Sequence, residues 1–589
     1  MPSPHTIWHW QEAGTAWKGV GIYHVTLTIP SRQPLLVTLP RIPFGNIIEK
    51  TQNAKCRPPC RNLAEKYNIF AAKKQSNMKQ TKLKGLKLSK DGRTLIEVSR
   101  DFEGELIIPE SVAAIKSSAF LGCDKITTVV LPKGITTIGY QAFVFSSITE
   151  ITIPESVKVI EDCAFFQCSN LKKVTFSTGL EKIGYNAFSL SAITDIVIPR
   201  TVVDINYLAF ENCSIDCLSV DKENPIYDSR ENCNAIIETS TNRLLIGSNT
   251  TTIPPTIEEI RDGAFNCARE LESIYIPQSI KKIGKEAFRF CPNLKYITVD
   301  PANTVYDSRE SCNAIIETST DKLILGSSTT HIPQTVVSIG EYAFACRVSL
   351  KDITIPNNVN IIERYAFWKC ENLTEVTLPS NLKILSQCVF DECINLVNIH
   401  LPQGLELIEG SAILSCDKLK HITIPNTVHT IGTNLCNNSI KHLYIPKSVT
   451  FISPKQVGRK LQCIEVSQRN TKYDSRNNCN AIIETDTDTL IAGCAKTVIP
   501  SSIKHIGNSA FVECEGLKKI LIPEGVVSIG DNAFLCDRLT TVILPSTLKR
   551  IGKDVLYRDP LRRIIVPKGQ KGRFLKMGLK EYEKYIVEN

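Results

Sequence analysis

Long apolar runs are missing from this 589-residue sequence. No stretch holds the roughly 18 consecutive apolar residues that a membrane-spanning helix needs, so no transmembrane segment is predicted. The first residues, MPSPHTIWHWQEAG, also lack a basic segment followed by an apolar one. They therefore do not indicate a secretory signal.

The signatures of the common enzyme classes are missing as well. There is no glycine-rich phosphate loop, no His-Glu-x-x-His pair and no serine in a nucleophile elbow. The formal charge of +9 is spread along the whole chain and is too dilute to indicate nucleic-acid binding. We therefore expect a non-enzymatic protein without a cofactor, a resident metal or a nucleic-acid partner.

One cysteine pair near the N-terminus has a spacing that suits metal binding. Cys56 and Cys60 lie close to several arginines, but no second pair follows at zinc-finger distance. An inert linker is the favoured interpretation of this stretch, and a metal site is the alternative.

Most of the chain repeats one motif. An Ile-Pro pair or a close variant recurs at ordinary steps of 21 to 23 residues, with one step of 45 and three gaps of about 55. Such a repeat predicts a solenoid, in which each coil buries its apolar edge against its neighbours. The prolines that set the register are Pro109, Pro132, Pro154, Pro199, Pro254, Pro277, Pro333, Pro356, Pro379, Pro402, Pro425, Pro446, Pro500, Pro523, Pro545 and Pro567.

A well-formed coil occupies residues 148–173, ITEITIPESVKVIEDCAFFQCSNLKK. Ile151 and Ile153 alternate with polar neighbours, which predicts a strand with one buried face. Pro154 ends the strand because proline offers no amide hydrogen to a ladder. Ala164 and Phe165 predict an opposite wall of short helical or 3-10 segments. The predicted fold is an α/β repeat solenoid, an arc with one long parallel β-sheet.

Twelve of the 22 cysteines fall at one position of the predicted repeat. Such a column predicts small apolar side chains that face the core. Coils about 4.8 Å apart would also bring neighbouring members within reach of a disulfide, so the column leaves the redox compartment open. Its members are Cys123, Cys168, Cys213, Cys267, Cys291, Cys346, Cys370, Cys393, Cys416, Cys436, Cys514 and Cys536.

The three long gaps hold closely similar insertions, near 222–252, 301–331 and 468–498. In each, NAIIET and a second apolar segment such as LLIG flank a short polar stretch, which predicts a β-hairpin. Each also contains a Tyr-Asp-Ser-Arg segment. We expect an Asx-type turn there, and ligands for a cation or an anion are the alternative. The acidic and basic residues concerned are Asp228, Arg230, Asp307, Arg309, Asp474 and Arg476.

The repeat pattern I-x-I-P-x-x-V-x-x-I-G-x-x-A-F-x-x-C-x-x-L resembles the BspA-like, or Treponema-type, leucine-rich repeats. The resemblance extends from about residue 83 to the end, and residues 522–536, IPEGVVSIGDNAFLC, carry nearly every position. It implies a binding surface on a bacterial cell-surface or secreted protein. Some members of this class bind host matrix proteins or other microbes.

The first 45 residues resemble another family. Their sequence TIWHWQEAGTAWKGVGIYHVTLTIPSRQPLLVTLP is similar to the opening strand region of single-tyrosine insertion-sequence transposases, which use a metal held by a His-hydrophobe-His motif. No such motif follows, so we expect 1–45 to be a non-functional fragment and 46–82 a linker. The solenoid is predicted over 83–567 and a capping helix over 568–589, because solenoid ends need covering.

Side chains that alternate with the buried isoleucines line the exposed face of the predicted sheet. His400, His421, His442 and Tyr444 fall on three consecutive predicted strands there. His400 and Tyr444 belong to a threonine-rich column, and His421 and His442 are expected to be direct neighbours in the adjacent column. We expect these residues to form part of a partner-binding surface, because imidazole and phenol groups offer contact area with polar tips. Casual surface substitution is the alternative. A metal site is also open, although two histidines alone are too few ligands.

Three classes of function follow from these features. The favoured one is an adhesion or protein-interaction module, on the cell surface or secreted, whose ligand is a protein or a surface glycoconjugate. A structural surface spacer is the second. A DNA-transposition protein is the third, and it would need a catalytic tyrosine and paired histidines. A cytoplasmic location is the alternative to export, because no signal peptide is legible.

Overall fold

A computed structural model of the protein describes residues 85–435, 439–453, 457–557 and 560–589, together with two strands near the N-terminus. Those strands, His24–Leu27 and Leu35–Thr38, pair antiparallel. They belong to one compact unit, Met1–Lys82, and the repeats form a second unit, Leu83–Asn589.

Several sequence predictions lie outside the described residues. Apart from the two strands, these include the transposase-like stretch 1–45 and the linker 46–82 with Cys56 and Cys60. Cys436 lies outside them too.

Each coil of the second unit has three sides. The coil at 148–171 contains a long strand, Glu150–Ile153, a short strand, Val159–Ile160, and a set of turns around Phe165. In the long strand Ile151 and Ile153 are buried while Glu150 and Thr152 are exposed. Stacking of such coils buries large hydrophobic clusters that each extend over several coils, and the predicted solenoid is confirmed.

The long strands form parallel pairs from coil to coil, here called the long-strand ladder. Val174, for example, lies opposite Ile151 and Thr175 opposite Thr152. The ladder is interrupted at the hairpin insertions, because no long strand is present there in the described residues. Its strands are Gly104–Ile107, Ile126–Val130, Glu150–Ile153, Lys173–Phe176, Asp195–Ile198, Cys217–Val220, Ser273–Ile276, Tyr296–Val299, Asp352–Thr354, Glu375–Thr377, Asn398–Ile399, His442–Ile445, Cys463–Val466, Lys519–Leu521, Thr541–Ile543, Arg563–Val566 and Ile586–Glu588.

A second parallel ladder, the short-strand ladder, is built mostly from two-residue strands whose second residue is buried. It begins with Leu86–Leu88 antiparallel to Thr94–Val98. The strands that follow are Ala114–Ile115, Thr137–Ile138, Val159–Ile160, Lys182–Ile183, Asp204–Ile205, Glu259–Ile260, Lys282–Ile283, Ser338–Ile339, Ile361–Ile362, Ile384–Leu385, Leu407–Ile408, Thr430–Ile431, Phe451–Ile452, His505–Ile506, Ser528–Ile529 and Arg550–Ile551.

The third side, here called the turn wall, consists of hydrogen-bonded turns instead of the predicted helical or 3-10 segments. Cys163 and Gln167, which flank Phe165, both have φ of 56°. A positive φ interrupts a right-handed helix, so the chain turns repeatedly instead of winding. The turns stack from coil to coil, with the amide of Phe165 donating to the carbonyl of Ala187 at 2.7 Å.

Phenylalanine rings stack inside the turn wall. The ring centroids of Phe143 and Phe165 are 4.8 Å apart, and those of Phe165 and Phe188 are 5.0 Å apart. A buried cysteine follows three residues after the phenylalanine, and its thiol donates to the carbonyl of the phenylalanine in the preceding coil. Cys168, for example, donates to the carbonyl of Phe143 at 3.0 Å. The cysteine column therefore faces the core, and no described cysteine is disulfide-bonded.

Two members of the predicted column occupy a different position. Cys267 and Cys346 lie one residue earlier, where the backbone is left-handed with φ of 66° and 60°. Ala268 and Arg347 take the column position in these two coils. Both coils directly follow a hairpin, whereas the coil after the third hairpin keeps Cys514 at the column position, three residues after Phe511.

The insertions form the predicted hairpins, which are incorporated into the solenoid. In the first, Tyr227–Asp228 pairs antiparallel with Ala235–Glu238, which pairs antiparallel with Arg243–Gly247. Arg243–Gly247 then pairs parallel with the next short strand, so the ladder resumes there. The other hairpin strands are Tyr306–Asp307, Ala314–Glu317, Lys322–Gly326, Tyr473–Asp474, Ala481–Glu484 and Thr489–Gly493, and the 3-10 turns are Arg230–Asn232, Arg309–Ser311 and Arg476–Asn478.

The C-terminal segment folds against the last coils. An α-helical turn, Lys571–Phe574, continues into a π-helical turn, Leu575–Leu579, and a 3-10 helix, Lys580–Tyr585. The strand Ile586–Glu588 then extends the long-strand ladder by pairing with Arg563–Val566. In the part of the chain that the structure describes, the helices are too short and too polar to cross a bilayer.

Candidate binding surface

The exposed face of the long-strand ladder carries the residues singled out in the sequence. In the strand His442–Ile445, His442 and Tyr444 are exposed while Leu443 and Ile445 are buried. Alternation of this kind places His442 and Tyr444 on the same face of the sheet. With 48% of its surface exposed, Tyr444 presents its ring and hydroxyl to solvent.

The other two histidines are placed less regularly. His400 is exposed and follows the strand Asn398–Ile399 directly. His421 is exposed in residues 420–425, which form no strand in the described chain. Pairing of the long-strand ladder therefore stops after Ile399 and resumes at His442, and only the last of the three expected strands holds its predicted residues within it.

His442 and Tyr444 have a neighbouring strand that sequence reasoning did not combine with them. Cys463–Val466 runs parallel to His442–Ile445, with Cys463 opposite His442 and Glu465 opposite Tyr444. His442 Nε2 lies 3.3 Å from Glu465 Oε1, and Cys463 Sγ lies 3.6 Å from the same oxygen. Partial burial, followed by the hydrogen bond to Glu465, raises the pKa of the Cys463 thiol.

A signal for these two residues was present in the repeat register. Glu465 occupies the same exposed column as Tyr444, and Cys463 precedes it by two residues, as His442 precedes Tyr444. The coil that contains them ends at Ser467 without a proline, so the pair is easily overlooked when the register follows prolines alone.

The Tyr-Asp-Ser-Arg segments of the hairpins are satisfied internally. The amide of Arg230 donates to Asp228 Oδ1 at 3.0 Å, which is the expected Asx turn. The guanidinium makes a fork-like pair with the same carboxylate, with 2.6 Å between Nη2 and Oδ2. Burial alone would raise the pKa of Asp228, but hydrogen bonds from Arg230 outweigh it and lower that pKa.

The same pairing recurs in the other two hairpins and is extended there by a second carboxylate. Arg309 Nη1 lies 2.6 Å from Asp321, and Arg476 Nη1 lies 2.7 Å from Asp488. In the first hairpin Asn242 takes this place. The aspartate and arginine side chains of each hairpin therefore pair with each other and stabilise its turn.

Solved structures of bacterial repeat proteins are similar to this chain. A leucine-rich cell surface protein from Faecalibacterium prausnitzii is 22% identical, with 64% of this chain and 95% of that chain covered and a TM-score of 0.37. A leucine-rich repeat protein from Bacteroides ovatus is 18% identical, with coverage of 86% and 97% and a TM-score of 0.28. The pneumococcal vaccine antigen PcpA is 16% identical, with coverage of 86% and 98% and a TM-score of 0.26.

Sequence comparison assigns the family. No curated protein matches the chain in sequence. The family model described as "BspA type Leucine rich repeat region (6 copies)" matches residues 103–216, 234–338, 337–456 and 491–572, which together make up well over half of the chain. The chain therefore belongs to the family of BspA-type leucine-rich repeat proteins.

Proposed function

We propose that this protein is a non-enzymatic binding module, displayed on a bacterial cell surface or secreted, whose exposed long-strand ladder contacts a protein or a surface glycoconjugate. Family membership supports the general role of a repeat scaffold that presents a binding face. The contact region includes His400, His421, His442 and Tyr444.

The observation that carries the proposal is the exposure of imidazole and phenol groups on a rigid strand. The backbone that carries His442 and Tyr444 is paired to the next coil, so little backbone conformational freedom is lost when these side chains bind a partner. Tyrosine is enriched in protein interfaces because it combines apolar area with a polar tip. Other exposed tyrosines, Tyr275 and Tyr296, lie on the same ladder and extend the available contact area.

A binding assay with surface variants tests the proposal. The purified chain is applied to immobilised extracellular matrix proteins, to a glycan array and to whole bacterial cells. We expect binding to at least one of these, and loss of most of that binding when His400, His421, His442 and Tyr444 are all replaced by Ser. The matched control replaces Ile361, Ile384 and Phe451 by Ser, because these residues are also exposed but belong to the short-strand ladder.

Two results would contradict the proposal. If the quadruple variant binds as well as the native chain does, this region is not the contact surface. A native chain that binds none of the three probes would favour the alternative, a structural spacer.

A further inference from the structure

Three potential metal ligands converge beside Tyr444 on the exposed face of the long-strand ladder. His442, Cys463 and Glu465 contribute a ring nitrogen, a thiol sulfur and a carboxylate oxygen, all of which lie within 4.8 Å of one another. The two strands that carry them are paired over four residues, from His442 opposite Cys463 to Ile445 opposite Val466. The backbone thus fixes the relative positions of the three side chains.

Two of the three separations between these atoms match those between the ligands of a tetrahedral zinc ion. With zinc bonds of about 2.0 Å to nitrogen and oxygen and about 2.3 Å to sulfur, neighbouring ligand atoms lie roughly 3.3 to 3.5 Å apart. The measured separations are 3.3 Å between His442 Nε2 and Glu465 Oε1, and 3.6 Å between Cys463 Sγ and the same oxygen. The third pair, the His442 nitrogen and the Cys463 sulfur, lies within 4.8 Å, so a small side-chain movement would bring all three atoms to zinc-binding distance.

We propose that His442, Cys463 and Glu465 form a zinc-binding site on the exposed sheet face. A thiolate and a carboxylate together neutralise the charge of Zn²⁺, and the neutral imidazole completes a set of three protein ligands. Calcium and magnesium prefer oxygen ligands throughout, which makes them poor occupants of a site with nitrogen and sulfur donors. Histidines alone are too few ligands for a zinc site here. Cys463 and Glu465 of the neighbouring strand add the two donors that His442 needs.

The fourth coordination position of such an ion is open to solvent. The side chains of His442 and Glu465 are 51% and 57% exposed, so solvent reaches the site among the residues that the structure describes. Water, or a donor atom of a bound partner, would occupy that position. The zinc site goes beyond the proposed adhesion function. Zinc binding can be measured on the chain alone, so its result does not depend on whether the chain binds an adhesion partner.

The corresponding positions of the other coils that precede hairpins lack this donor set. In the first, Cys217 lies opposite Asp195, and Ser219 stands where the third coil has Glu465. In the second, the equivalent strand carries Tyr296 and Thr298. Within the described residues, no other group of His, Cys, Asp and Glu comes together in this way. Cys217 is therefore a matched control for Cys463.

Zinc titration of the metal-stripped full chain tests the site. Replacement of Cys56 and Cys60 by Ser first removes a possible contribution from that pair. In this background, ZnCl₂ is titrated in competition with a chromophoric chelator, and we expect one zinc ion per chain. We expect His442→Ala and Cys463→Ser each to weaken binding at least about tenfold, Glu465→Gln to weaken it as well, and Cys217→Ser to leave it unchanged.

Cobalt substitution identifies the ligands spectroscopically. Co²⁺ in the site should show the visible absorption of tetrahedral cobalt together with a sulfur-to-cobalt charge-transfer band, and Cys463→Ser should abolish that band. All three ligands are at least partly exposed, so the variants should retain the native circular dichroism spectrum. The proposal is overturned if the background chain binds no stoichiometric zinc, or if Cys463→Ser binds zinc as well as Cys217→Ser does.

Discussion

Gly326 lies directly against the ring of Phe344, so closely that a Cβ atom added to Gly326 would overlap Cε1 and Cζ of that ring. The Gly326 amide donates to the carbonyl of Ala343 at 2.9 Å, just as the amide of Phe120 donates to that of Ala142 at 2.8 Å in an ordinary coil. Gly326 therefore takes the backbone place of a turn-wall phenylalanine. Gly247 with Phe265 and Gly493 with Phe511 repeat the arrangement.

We expect Gly326→Ala to destabilise the solenoid, because the new methyl group would force the buried Phe344 ring out of its position. Overpacking of this kind costs about 1–3 kcal/mol. The midpoint of urea-induced unfolding, followed by circular dichroism, measures the effect. Gly134→Ala is the control, because no atom lies within 4 Å of the added Cβ there. Equal midpoints for the two variants would show that the ring has room to move.

The role of this glycine illustrates what the sequence could and could not predict. The Ile-Pro register was sufficient to predict the coil boundaries and the buried face of each long strand. Burial follows directly from the alternation of Ile151 and Ile153 with polar residues. The closeness of Gly326 to Phe344 depends on how a hairpin enters the stack, which no local pattern encodes. Ala164 and Phe165 predict a helical wall through their apolar spacing, whereas Cys163 has a left-handed φ, and its amide donates to the carbonyl of Tyr185 in the next coil at 2.7 Å.

The candidate surface shows a similar division. Exposure of His442 and Tyr444 followed from strand alternation and was predictable. The interrupted pairing around His421 was not, because it reflects the geometry of one coil and not its residue pattern. Cys463 and Glu465 became visible only when the register of two parallel strands was known.

In each hairpin a tyrosine hydroxyl accepts a hydrogen bond from the last short strand before the insertion. The amide of Ile205 donates to the hydroxyl of Tyr227 at 3.1 Å, where the next coil would otherwise supply a carbonyl. We expect Tyr227→Phe to lower the free energy of unfolding by about 1–2 kcal/mol, because that partly enclosed amide loses its partner. Urea unfolding measures the loss. Tyr296→Phe, with a side chain 61% exposed, should change stability little, and an equal loss there would contradict this role for Tyr227.

The cysteine column should make stability fall in alkaline solution. Burial raises the pKa of Cys168 to about 12 and that of Cys213 to about 11, from an ordinary value of 9.0. Because the folded pKa exceeds the unfolded one, the stabilising contribution is complete below pH 9 and is lost as pH rises from 9 towards 12.

Replacement of Cys168 and Cys213 by Ala tests this linkage. The double variant should be less stable than the native chain at pH 8, because two buried side chains are shortened. The difference between the two proteins should shrink as pH rises to about 11, because the native thiols then favour the unfolded chain. Unfolding midpoints at several pH values measure this, and a difference that is constant with pH would contradict it.

Arg347 takes the position of the cysteine column in the coil after the second hairpin, and its side chain is completely buried. Its Nε donates to the carbonyl of Gly326 at 2.8 Å, and its Nη1 donates to that of Cys291 at 3.0 Å, so it joins the turns on both sides of the hairpin. Burial lowers the pKa of Arg347, which shows that its charge is costly at this place.

Two opposing effects decide the outcome of Arg347→Met. The guanidinium also donates to the carbonyl of Ala345 at 3.1 Å, and the Cys291 carbonyl accepts a second hydrogen bond from the amide of Leu294 at 3.3 Å. The substitution removes the cost of a buried charge, but it takes this donor from the enclosed carbonyls of Gly326 and Ala345, at about 1–3 kcal/mol each. We expect the carbonyls to dominate, because methionine fills similar volume yet offers no hydrogen, so the urea midpoint should fall. Arg364→Met, at an arginine side chain that is 59% exposed, should change it little. A variant at residue 347 that is as stable as the native chain would show that desolvation of the guanidinium cancels its hydrogen bonds.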